Sequence, residues 1–113
     1  MSKDDLRYVG HMLDCAHQIE KFLAGKARAQ YDADEVLRLA VIHLIQTMGE
    51  AARLVSDDFR QQHPQVPWPQ IVGMRNRIVH DYLNVDFDIA WEVASRDLPV
   101  LVQSLAPLLP PSP

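Results

Sequence analysis

The sequence predicts an all-α fold, a bundle of four to five helices, and three observations carry that expectation. Apolar residues recur at three- and four-residue intervals through several long stretches, and nowhere do apolar and polar residues alternate as in a half-buried strand. Gly25, Pro64, Pro67 and Pro69 fall between these stretches or at their edges, where they punctuate helices. No internal repeat or linker divides the chain.

The first helix is expected over about residues 3–24, because Leu6, Val9, Met12, Leu13, Ala16, Ile19 and Leu23 share one face and Gly25 can end it. A polar link follows. Asp32 and Glu35 have the spacing of a capping box, so a second helix is expected from there to about Asp57. Its first half, from Val36 to Ile45, is apolar almost all round, which predicts burial on more than one side and a central or interface position.

Phe59 to His63 can add a short turn before Pro64, Pro67 and Pro69. Pro69 suits the first position of a third helix reaching about Asp81, since the missing N–H is unneeded there. Asp86 or Asp88 can cap a fourth helix containing Ile89, Val93 and Leu98. Pro99 should kink that helix without ending it, because Val100, Leu101, Leu105 and Leu108 continue the apolar pattern. The domain is therefore placed at residues 1–106, with 107–113 a flexible proline-rich tail.

With 113 residues, 48% of them hydrophobic and 23% charged, the chain has the composition of one globular domain and is small enough to gain from pairing with a second copy. A net charge of −4 excludes a general nucleic-acid-coating role, so any contact with phosphate must be local. No apolar run is long enough for a membrane span, and the polar start Met1-Ser2-Lys3-Asp4-Asp5 does not read as a secretory signal, so no membrane partner and a cytoplasmic location are expected. Cys15, the single cysteine, is expected in the core.

Chemistry concentrates on the third helix. On a helical projection Arg75 falls within the stripe of Ile71, Val72, Ile78 and Val79, where a guanidinium must either pair, with a residue such as Glu50 or Asp58, or serve a ligand. Gly73, Asn76, Arg77 and His80 cluster on the other side. For His80 alone, a surface or capping role is the simpler reading. Five residues turn a regular helix by about 140°, so Arg75 and His80 share a site only if the helix loosens near His80 or a second chain contributes.

The stretch Arg75-Asn76-Arg77-Ile78-Val79-His80-Asp81-Tyr82 resembles the Arg-x-x-x-x-His-x-Tyr signature of HepT-like toxins, a branch of the HEPN ribonuclease superfamily. Pro67-Trp68-Pro69-Gln70-Ile71-Val72-Gly73-Met74 is similar to that family's lead-in, and Gln46-Thr47-Met48-Gly49-Glu50-Ala51-Ala52 to its second helix. The resemblance covers about Leu6 to Leu105 and implies a HEPN-like helical homodimer whose two motifs face a shared cleft.

It further implies an endoribonuclease that cuts RNA without a metal, with Arg75 and His80 as the catalytic pair, Asn76 as a polar helper, and Arg77 on phosphate or simply solvated. The implied gene partner is a MntA-like minimal nucleotidyltransferase antitoxin that silences the toxin by AMPylating Tyr82. No cofactor is expected. A metal site built on His11, Cys15 and His17 lacks a completing ligand, His43 reads as a core or interface histidine, and Glu50 and Arg53 read as a surface ion pair or cleft residues. Two other readings stay open: a non-catalytic HEPN binding module partnering a nucleotidyltransferase, and a purely structural helical dimer.

Overall fold

A computed structural model describes residues 3–81 and 84–110. Its order is α1 (Lys3–Leu23), α2 (Arg28–Ala33), α3 (Glu35–Leu54), α4 (Asp57–Gln62), α5 (Trp68–Ile78), β1 (Val79–Asp81), β2 (Asn84–Val85), α6 (Phe87–Glu92), a π-helical turn (Val93–Asp97), α7 (Leu98–Leu105) and a 3₁₀ turn (Ala106–Leu108). The all-α expectation holds. Among the described residues no helix is long and apolar enough to cross a membrane.

Helix α3 is the centre of the bundle, packing along α1 on one side and α5 on the other, while α6 closes over α3 and α5 and α7 over α1. The core follows the predicted stripes: Val9, Met12, Ala16 and Ile19 from α1 meet Val41, Ile45, Met48 and Ala52 from α3, with Ile71 and Ile78 from α5 beyond them. Cys15 is buried with them, and burial, followed by the neighbouring charge of Asp14, raises its thiol pKa. Gly49 is what lets α5 come close to α3, for a Cβ there would lie 3.2 Å from the Ile71 carbonyl oxygen.

Gly25 ends α1 in the left-handed region, at φ 73°. The link after it is not irregular, because Arg28–Ala33 forms a six-residue helix anchored by the buried ring of Tyr31. That insertion moves the cap of α3 from Asp32 to Asp34, whose carboxylate accepts from the Leu37 N–H at 3.0 Å. Asp5, buried near the start of α1, accepts from both the backbone N–H and the hydroxyl of Ser56, each at 2.8 Å, and so ties α1 to the junction of α3 and α4.

The segment from Phe87 to Leu105 runs helically through Pro99, as the apolar pattern predicts. The accommodation is local: the Leu98 N–H reaches back five residues to the Val93 carbonyl, widening the turn just before the proline, whose ring would otherwise press on the carbonyl four residues back. Beyond Leu105, Leu109 comes to rest near Gly10 of α1.

The helix α3 is less enclosed than its composition predicts. Val36 is 77% exposed and Leu39 51%, and His43, expected in the core or at an interface, lies on the same exposed stripe. The chain therefore packs α3 between α1 and α5 but leaves this one stripe of it uncovered.

Candidate functional site

The motif helix α5 is fixed at its start by Trp68, which is buried, donates from Nε1 to the His63 carbonyl at 3.0 Å and meets the Phe59 ring edge-on. Ile71, Met74 and Ile78 face the core, leaving Arg75, Asn76 and Arg77 exposed on the last turn. Two cations there complement the partial negative charge of the helix C-terminus.

Arg75 sits at the rim of the buried arc and not within it. The ion pair considered for it from the sequence does not form, since Glu50 is engaged by Arg53 at 2.9 Å and no ion pair joins Arg75 to Asp58 among the described residues. Among the described residues the Arg75 guanidinium makes one long hydrogen bond, 3.4 Å, to Oδ1 of Asn76. The exposed guanidinium offers a planar fork of N–H donors that suits an anion arriving from solvent. Arg77 points to the other flank and pairs with Asp97 of the π turn at 3.5 Å.

The sequence extended this helix to Asp81 and admitted no strand; both expectations are corrected. The helix stops at Ile78, with the Val79 N–H returning to the Arg75 carbonyl, and the chain turns into β1. β1 pairs antiparallel with β2, Val79 opposite Val85 and Asp81 opposite Asn84. Two steps along β1 thus match one along β2, and His80 is the extra residue of a β-bulge. A regular helix would have put His80 about 140° from Arg75; the helix end removes that constraint, and both side chains are exposed.

Residues outside the motif hold this hairpin; the sequence marked Asp86 as a helix cap, as it is, but not as a clamp on the hairpin, and it did not single out Tyr31, Arg28 or Arg38. The Asp86 N–H donates to the Ile78 carbonyl at 2.6 Å, while the Asp86 carboxylate caps α6 by accepting from the Ile89 N–H at 2.9 Å. The next residue is pinned by Tyr31, whose hydroxyl donates to the Phe87 carbonyl at 2.8 Å. Arg28 pairs with Asp88 and Asp32, Arg38 lies over the Phe87 ring, and Tyr31 packs on Trp91 with centroids 5.0 Å apart. Burial pushes the Tyr31 phenol up to about 12. Its one advance signal was a lone aromatic in a polar link.

Tyr82 lies outside the described residues. His11 and His17 are exposed and Cys15 is buried, so these three do not converge, and among the described residues no group of three histidine, cysteine or acidic side chains is placed to hold a metal.

Fold and site together define a small helical domain that presents arginine, asparagine and histidine side chains where its motif helix gives way to a bulged hairpin. A family model described as ribonuclease HepT-like matches residues 12–108, and the chain belongs to that family. It is 32% identical over 100 residues to a protein of Methanocaldococcus jannaschii named a "Putative RNase", covering 88% of this chain and 92% of that one. A "Probable ribonuclease HepT" of Thermococcus cleftensis is 28% identical over 101 residues, 89% of this chain and 92% of its own. No solved structure matches the chain.

Proposed function

We propose that this protein is the toxin of a HepT/MntA-type toxin–antitoxin pair, a metal-independent endoribonuclease that acts as a homodimer. The observation that carries the reading is the helix end between Arg75 and His80, which leaves both motif residues on the surface of a chain from the HepT-like family. His80 takes the proton from a ribose 2′-hydroxyl as its oxygen attacks the adjacent phosphorus. The bond to the 5′-oxygen breaks and that oxygen takes up a proton from solvent, giving a 2′,3′-cyclic phosphate and a 5′-hydroxyl end. Arg75 places paired N–H donors on the charge that builds on the phosphate oxygens. Asn76, in contact with Arg75, steadies the guanidinium.

The uncovered stripe of α3, with Val36, Leu39 and Leu54 all about half exposed or more, supports pairing with a second copy. Tyr82, two residues beyond His80, is the proposed AMPylation site for a nucleotidyltransferase antitoxin; an adenylyl phosphate there competes with RNA for Arg75.

Cleavage of total cellular RNA by the wild type and by His80→Ala, each with and without EDTA, tests the reading. Products with cyclic phosphate ends that survive EDTA and vanish in the variant are expected. Intact RNA in every lane from a folded dimer would leave a non-catalytic binding module. Transfer of AMP to the wild type but not to Tyr82→Phe tests the regulatory part.

A further inference from the structure

We infer that the groove between α5 and α7 is a nucleobase subsite, one that seats a guanine flanking the scissile phosphate of the RNA. The inference rests on the ribonuclease reading for the identity of its strand, and on the groove itself for its chemistry.

The groove encloses about 450 Å³, within the range of roughly 300–1,000 Å³ that small-ligand pockets occupy. Its floor is apolar, formed by Ile71 and Met74 of α5 and Leu101 of α7, and Val100 stands at its edge, 63% exposed. A flat π-face is well suited to a floor of methyl groups and a polarizable thioether. The polar groups are few and exposed: Gln70 on the first turns of α5, and Arg77 and Asp97 as a pair. This is the composition of a site that binds one planar, partly polar ring.

Arg77 and Asp97 lie 3.5 Å apart, a donor group beside an acceptor group, both half exposed and able to turn from each other to a ligand. Guanine presents the complement, an O6 acceptor next to N1–H and N2–H donors. Among the four bases it alone gives a carboxylate two N–H groups on one edge. The π turn matters here, because Asp97 is its last residue and owes its position opposite Arg77 to the widened helix.

Position along the strand follows from the helix. Arg77 lies two positions beyond Arg75, about 200° around α5, so the groove and the catalytic arginine lie on opposite flanks. The surface between them is open, since a Cβ on Gly73 would meet nothing within 4 Å. A strand whose cleaved phosphate rests at Arg75 can cross that open surface and drop a neighbouring base, not the base of the attacking ribose, into the groove.

Binding is measured with the His80→Ala protein, in which no cutting is required, by titrating guanosine, adenosine, cytidine and uridine 5′-monophosphates and following the methyl resonances of Met74, Val100 and Leu101. Guanosine monophosphate is expected to move these methyls and to bind about tenfold more tightly than the others. Asp97→Asn should erase the preference, and Val100→Trp, which fills the groove from its exposed edge, should abolish binding while the thermal melt stays cooperative. Equal affinity for the four, shifts confined to other residues, or binding that survives Val100→Trp would overturn the subsite.

A Val100→Trp protein with altered sedimentation, together with groove methyls unmoved by any nucleotide in the parent, would mark the groove as a contact between copies and also overturn it. Wild-type protein that leaves RNA intact while the guanine preference stands removes the ribonuclease reading and keeps the subsite. Cleavage with no base preference at the groove does the reverse.

Discussion

The backbone N–H of Asp86 donates to the carbonyl of Ile78 at 2.6 Å, closing the hairpin that carries His80 onto the end of the helix that carries Arg75. The same residue caps the next helix with its carboxylate. One aspartate therefore governs both how the chain leaves the motif and how it re-enters the bundle.

Asp86→Ala keeps the backbone bond and removes the cap. A stability loss of about 1 kcal/mol is expected from urea unfolding. RNA cleavage should fall more than that loss explains, through kcat and not KM, because the hairpin then samples other registers. Unchanged kcat would show that the cap does not order His80.

Tyr31→Phe deletes the hydroxyl that holds the Phe87 carbonyl, at an expected cost of about 1–2 kcal/mol in a denaturant titration. The alkaline limb is more diagnostic. The phenol titrates at about 12 in the fold against the ordinary 10.0 when unfolded. A pKa raised by folding means that the tyrosine's contribution is complete below pH 10 and is lost as pH rises toward 12. The melting temperature of the wild type should drop across that interval and that of Tyr31→Phe should drop less.

Gly49→Ala puts a methyl 3.2 Å from the Ile71 carbonyl oxygen and 3.6 Å from that of Val72. Since both atoms belong to the backbone of α5, neither can swing away. Destabilisation of about 1–3 kcal/mol is expected from thermal or urea unfolding, with cleavage impaired because the motif helix is displaced. A neutral result would mean that α3 and α5 separate freely.

Arg75→Lys should cost nearly as much activity as Arg75→Ala. A lysine retains the charge but offers a point donor where a forked one meets two phosphate oxygens. Initial rates on one defined RNA compare the two; a lysine variant near the wild-type rate would show that charge alone suffices there. DNA should not be cut by any of them, for want of a 2′-hydroxyl.

The long helices were legible in the sequence because each repeats its apolar spacing over several turns, and the passage of the last helix through Pro99 was legible for the same reason. The six-residue helix α2 was not, since so short a segment has no period to read and owes its place to Tyr31 in the core and to Arg28 and Arg38 over α6. The hairpin was hidden differently. Ile78 and Val79 continue the helical stripe of α5, so local pattern favoured helix where the Asp86 N–H and the β2 pairing favour a strand. Arg75 stood out as a guanidinium in an apolar stripe and His80 chiefly as a member of an extended motif, and the clamp beside them joins residues 56 positions apart, a distance across which no local rule reaches.

The π turn at Val93–Asp97 makes this stretch unusually tolerant of a change in length. Elsewhere in a packed helix, losing one residue rotates everything downstream by about 100° and turns its apolar face away from its neighbours. Here one residue is already surplus to regular winding, so a chain shortened by one within the turn would relax to an ordinary helix with Leu98, Leu101 and Leu105 still on the core side. What it would forfeit is the reach of Asp97 toward Arg77, so the extra residue serves the surface between α5 and α7 and not the core.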